Sequence, residues 1–107
     1  MILLPLKVDS VARRDLRELT LWLRNEADVE TARRFATSVM TCFDKIAESP
    51  SIGSLVPTAN PLLFGVRKWK VPGFHSHLIF YRPSPQDVRI IRVLHAAQDW
   101  WALLEVN

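Results

Sequence analysis

Cysteine is almost absent from this chain of 107 residues. The single Cys42 excludes an intramolecular disulfide and gives no sign of an oxidising compartment. On the flank of a helical apolar stripe it reads as a buried or half-buried small residue, not a nucleophile. Glycine is scarce as well. None of the three glycines falls in a GxGxxG or Walker spacing, which excludes the usual phosphate-cradling loops. Paired carboxylates and nucleophile motifs are missing too. Three histidines are too few and too poorly partnered for a metal centre. His75 and His77 would share one strand face, but no Cys or nearby acid completes a ligand set, so neither metal nor cofactor is expected. No apolar run approaches the roughly 18 residues of a membrane span. Met1 to Leu6 is apolar but lacks the basic start and long core of a signal peptide, and reads as a strand. A soluble, cytoplasmic protein without membrane contact is the expectation.

What is present fits one domain, residues 1–107. Hydrophobic residues make up 49% and charged residues 23%, enough for one real core. The stretch that organises it runs from His77 to Asp99. Leu78-Ile79-Phe80-Tyr81 is apolar on both alternating faces, which places it inside a sheet. Arg82 to Asp87, with Pro83 and Pro85, is a turn. Val88 to Leu94 is a second β-rich run, and the pair reads as an antiparallel hairpin that His95 closes. Val66 to Val71, ending in a Pro72-Gly73 turn, extends it to a three-stranded meander, with His75 and His77 finishing that turn.

Ahead of the meander, Leu4, Leu6 and Val8 alternate like a strand. Pro5 cannot donate to a ladder, so this strand belongs at an edge or a bulge. Asp9-Ser10 supplies a helix cap. Ala12, Leu16, Leu19 and Leu23 then form one apolar stripe to about Asn25. Asp28 caps a second helix, whose stripe Ala32, Phe35, Ala36, Val39, Phe43, Ile46 and Ala47 ends at Ser49-Pro50. Acids and arginines interleaved off these stripes read as solvated surface. Ser51 to Gly65 has no period and reads as irregular loop. Trp100, Trp101, Leu103 and Leu104 suggest a short last helix in which one tryptophan stays exposed or covers a partner. The expected fold is α+β: an antiparallel β-sheet packed on an N-terminal helical hairpin, in the order β-α-α-β-β-β with a short C-terminal helix.

The charge balance is +3, and its distribution is uneven. Arg67, Lys68, Lys70, Arg82, Arg89 and Arg92 lie in the C-terminal half, where Asp87 and Asp99 are the only acids before Glu105. By strand alternation Lys68 and Lys70 share one face, and Arg67 shares the other with Trp69. Arg89 falls with Ile91, Val93 and His95, and Arg92 with Val88, Ile90 and Leu94. One sheet face meets the helices; the other is expected to be free to offer cations and an aromatic to an acidic guest. His95 has two readings. It is hydrogen-bonded to backbone and fixes the strand-to-helix transition, or it serves as acid, base or phosphate contact.

Several segments in order carry a resemblance. They are Ala12 with Asp15-Leu16, Ala32-Arg33-Arg34-Phe35, Ser49-Pro50 with Gly53, and Pro61-Leu62 with Gly65-Val66-Arg67. Val71-Pro72-Gly73-Phe74, Leu78 to Arg82 and Ile91 to His95 follow, with Ala97 and Asp99 behind. The sequence resembles the RelE/ParE superfamily of toxins from type II toxin–antitoxin pairs, closest to the ParE branch. The resemblance implies a bacterial toxin neutralised by a cognate antitoxin, an acidic protein with a DNA-binding N-terminal domain. The ParE branch implies a non-enzymatic poison of DNA gyrase. The RelE branch implies a ribosome-dependent mRNA endoribonuclease, for which Arg67, Arg82 and His95 are the candidate catalytic residues. Small residues and Asp99 after His95 favour the first, because an acid beside a scissile phosphate is unfavourable. Gln98 stands where ParE-like sequences often carry Arg, and a member that binds its antitoxin without being toxic is a third reading. The expected target- or antitoxin-binding surface comprises Arg67, Lys68, Trp69, Lys70, Arg82, Arg89, Arg92, His95, Trp100 and Trp101.

Overall fold

The computed structural model describes residues 4–105, so Met1 to Leu3 of the expected first strand lie outside it. Helix α1 spans Ser10–Glu26 and α2 spans Val29–Glu48, joined by a break of two residues. Asp9 and Asp28 precede them, but only Asp28 caps with its side chain, accepting from Thr31 N–H at 2.6 Å. That bond holds its carboxyl below the usual range. Asp9 stands at the expected cap position without a side-chain cap bond. Its carboxylate instead reaches Arg89 at 3.1 Å.

Strands β1 (Leu6–Val8), β2 (Ser54–Leu55), β3 (Arg67–Val71), β4 (Phe74–Pro83) and β5 (Val88–His95) form one sheet in the order β1-β5-β4-β3-β2, and α3 (Trp100–Glu105) follows. The expected meander is β3-β4-β5, with the apolar Leu78–Tyr81 run near the sheet's middle. Gly73, at φ +80°, makes the β3–β4 turn, a conformation that only glycine adopts freely. Three details differ from expectation. β1 is an edge strand, as Pro5 requires, but it pairs parallel to β5. The 51–65 loop contains the two-residue strand β2 and a 3-10 turn at Pro61–Leu63. His75 and His77 lie within β4 rather than finishing a turn, and His77 is paired with His95.

Between sheet and helical hairpin lies the first core. Phe35, Val39 and Ile46 of α2 are wholly buried there with Ile79, Tyr81 and Ile90 of the sheet. Each such side chain contributes about 1.5–3 kcal/mol by leaving water. Cys42 is buried among them, which raises its thiol pKa. Tyr81 reaches across the core so that its hydroxyl donates to the Pro50 carbonyl and accepts from Gly53 N–H, both at 2.8 Å. A Cβ at Gly53 would lie 2.7 Å from that hydroxyl and from the Lys68 carbonyl. The loop after α2 is therefore fastened to the sheet at a position where only glycine fits.

The opposite sheet face is not free, and here the sequence expectation fails. A second core of Leu78, Phe80, Ile91 and Leu94 is covered by Val56, Leu63 and Val66 from the loop and by Leu104 from α3. Phe80 thus faces away from the Phe35–Phe43 ridge. A bulge adjusts β5 to serve both cores. Tyr81 pairs with Ile90 and Phe80 with Arg92, so Ile91 is an extra residue with no partner opposite. The expected alternation through β5 breaks at that point. Val88, Ile90 and Val93 pack in the first core, while Ile91 and Leu94 pack in the second.

Candidate functional site

Arginines on the strands are the first surprise of the site. Arg67 donates to the carbonyls of Ser51 (3.3 Å) and Gly53 (2.6 Å). Arg82 donates to the carbonyls of Phe64 (3.2 Å) and Leu62. Arg89 pairs with Asp9. Arg92, only 7% exposed, grips Asp15 with two parallel bonds, Nε to Oδ2 at 2.7 Å and Nη2 to Oδ1 at 2.9 Å, and reaches the Leu103 carbonyl with Nη1. All four hold loops, helices or edges in place.

Asp15 explains the bulge and the short first strand together. β1 ends opposite Ile90. Beyond it the edge of β5 would present an unpaired Val93 N–H. The Asp15 carboxylate takes that donor at 3.1 Å while neutralising Arg92. Sequence reading treated the acids of the first helix as solvated surface and missed this one. The signal was there: Asp15 stands between Ala12 and Leu16 on the apolar stripe, where a charge must have a partner.

Of the remaining candidates, Lys68, Trp69, Lys70 and Trp100 gather on one groove. Lys68, Lys70 and Trp100 line a cleft of about 720 Å³ with Trp69, His75 and Ser76, and among the described residues no carboxylate lines it. Lys68 Nζ sits 5.3 Å above the Trp100 ring. Trp100 rests on Phe80 at 5.3 Å and stacks on Trp101 at 4.3 Å. Trp101 is the more exposed of the pair, at 37%. Cations over an aromatic surface attract anionic groups.

His95 lies at the same end of the sheet but lines a different groove of about 510 Å³, with Glu18, Leu19, Trp22 and Gln98. Its own N–H donates to Gln98 Oε1 at 2.8 Å, and its Nδ1 accepts from Ala97 N–H at 3.0 Å. In the neutral ring the proton is therefore on Nε2. The backbone-fixing reading of His95 is what the geometry displays, and Gln98 is part of that device. Behind it, His77 is buried with both ring nitrogens outside any well-formed hydrogen bond. Its ring lies 4.8 Å from Phe35 and 5.0 Å from His95. Burial, and then the neighbouring His95, push its pKa down, with the Phe74 backbone only partly offsetting them.

The residues named for nuclease chemistry do not converge. Arg67 is opposite Tyr81, the neighbour of Arg82. His95 is opposite His77, five positions along β4 from Arg82, a span of about 17 Å. Among the described residues no group of three or more His, Cys, Asp or Glu is arranged to hold a metal ion, and no helix is long and apolar enough to cross a membrane.

Comparison with known proteins places this architecture. Over 87% of this chain and 96% of the other, it superposes on a structure of the chromosomal ParDE toxin–antitoxin system from P. aeruginosa, with a TM-score of 0.71 at 17% identity. Toxin ParE1 of Caulobacter vibrioides is 32% identical over 95 residues, which is 89% of this chain and 92% of that protein. The family model of the ParE toxin of type II toxin–antitoxin systems matches residues 6–100. Sequence and fold agree: this chain belongs to the ParE toxin family of type II toxin–antitoxin systems.

Proposed function

We propose that the chain is a non-enzymatic toxin that arrests growth in the cytoplasm by binding DNA gyrase, and that a cognate antitoxin neutralises it. Family membership implies the antitoxin; the gyrase target is the finer step. The observation that carries the non-enzymatic reading is the fate of Arg67 and Arg82. A ribonuclease needs cations on the scissile phosphate beside a base. Here both arginines are committed to backbone carbonyls, about five strand residues from His95. The acid-free cleft of Lys68, Lys70 and Trp100 supports a binding role, because it offers unpaired charge and aromatic area for a macromolecular surface.

Purified gyrase supercoiling, assayed beside translation in the same extract, tests this. Inhibition of supercoiling with translation intact is expected, and Lys68→Glu with Lys70→Glu should weaken it at least tenfold. Cleavage of ribosome-bound message by the intact protein, lost on His95→Ala, would establish the RelE-like reading instead.

A further inference from the structure

The groove beside His95 has no part in the poisoning role proposed above. Two elements build it. On α1, Asp15, Glu18, Leu19 and Trp22 follow at steps of three, one and three, the spacing of a single helix face. On β5, Val93 and His95 alternate onto the same side, and Ala97 and Gln98 of the next turn close the end. The volume of about 510 Å³ lies within the range of roughly 300–1,000 Å³ that suits a small organic molecule.

Its chemistry is one-sided. Leu19, Val93 and Ala97 make it mainly apolar. Trp22, 51% exposed, adds an indole whose ring centre is 6.4 Å from that of His95, edge to face. Of its two carboxylates Asp15 is already engaged, since Arg92 and the Val93 N–H take both oxygens. Glu18 is not: among the described residues its side chain makes no ion pair. Glu18 and Trp22 are four residues apart, one helical turn, so one cation can meet the carboxylate and the indole together. Among the described residues no lysine or arginine lines the groove to compete for Glu18. His95 spends Nδ1 on the Ala97 N–H, and Gln98 spends its oxygen on the His95 N–H. Glu18 is thus the acceptor left for a guest.

We infer that this groove binds a small molecule with an aromatic body and a single cationic amine, the body against Leu19 and Val93 and the ammonium between Glu18 and the Trp22 ring. The surroundings select one charge over a basic protein segment. The chain carries a net +3, and Arg13, Arg14, Arg17 and Arg24 of the same helix are exposed. They repel a row of cations. Screening over about 8 Å at physiological salt leaves one ammonium at Glu18 little affected by them. The groove is separate from the Lys68–Trp100 cleft, and the inference does not depend on which macromolecule the toxin poisons.

The test is an amide NMR titration of the intact protein with four probes: tryptamine, the neutral alcohol tryptophol, the anion indoleacetate, and a short lysine-rich peptide with one tryptophan. Tryptamine should shift the Val93, Ala97 and Gln98 amides and the Trp22 indole N–H, with a dissociation constant of about 1 mM or tighter. It should bind at least about threefold more tightly than tryptophol, the margin of an exposed ion pair, and indoleacetate should bind weakest. Glu18→Gln should bring tryptamine down to the affinity of tryptophol and leave tryptophol unchanged. Trp22→Ala should weaken both severalfold, and Lys45→Ala, exposed on α2, should change neither. The same spectra show that each variant is folded. No shifts at the groove, equal binding of tryptophol or indoleacetate, a preference that survives Glu18→Gln, or tighter binding of the basic peptide at the same residues would each overturn the inference.

Discussion

Two sets of arginines divide this molecule. Arg67, Arg82, Arg89 and Arg92, on the strands, each hold a carbonyl or a carboxylate of the chain itself. Those of α1, Arg13, Arg14, Arg17 and Arg24, are exposed and make no hydrogen bond or ion pair among the described residues. The strand set looked like the binding surface in the sequence because it is clustered and poor in neighbouring acids. The helix set looked like ordinary solvated surface because acids are interleaved with it. Three dimensions reverse that impression. Two of the acids beside the helix arginines, Asp9 and Asp15, turn toward the sheet and pair with Arg89 and Arg92. Charge balance along a sequence therefore says little about charge available to a partner; what matters is which face each carboxylate serves.

The sharpest way to break this contrast is at Arg92. Arg92→Ala leaves Asp15 buried with its guanidinium partner gone, and should cost about 3–5 kcal/mol in urea unfolding. A loss under about 1 kcal/mol would mean that the pair is not structural. Arg67→Ala and Arg82→Ala should each cost about 1–2 kcal/mol, since half-buried charged donors are withdrawn from backbone carbonyls. Their first sign should be faster amide exchange in residues 51–66. His77 sharpens the comparison differently, as a group that would become a cation in a buried place with nothing to pair with. Its folded pKa is below the unfolded value of about 6.5. The unfolded chain therefore binds the proton first as pH falls. Stability is full above about pH 6.5 and declines progressively below it, and His77→Phe should flatten that decline in a series of thermal melts between about pH 7 and 5. The smallest effect belongs to α1: Arg13→Ala, Arg17→Ala and Arg24→Ala should each lie within about 0.5 kcal/mol of the parent protein.

The parts legible in the sequence were those with a clean period. The α2 stripe from Ala32 to Ala47 and the doubly apolar Leu78–Tyr81 run placed the helix and the strand correctly. The edge position of β1 is one of the two, edge or bulge, that Pro5 allowed. What was hidden has physical reasons. β2 is two exposed residues and leaves no pattern. The second core takes Val56 and Leu63 from a segment without periodicity, so the covered face could not be foreseen. The bulge at Ile91 is a single extra residue, yet it breaks the alternation on which the placement of Arg92 depended. In the site, Lys68 and Lys70 do share one cleft, as strand alternation suggested, and Trp100 of the last helix joins them. Arg67 and Arg82 do not join His95, because strand order separates what a list of cations brings together.

The first strand to be synthesised is among the last to find its seat. Lys7 lies beside Arg89, and Asp15 waits 77 positions for Arg92. Until β5 has been made, α1 lacks the strand on which it lies, and such distant closures are slow. The seat of α1 on β5 is therefore complete only once nearly the whole domain has been made.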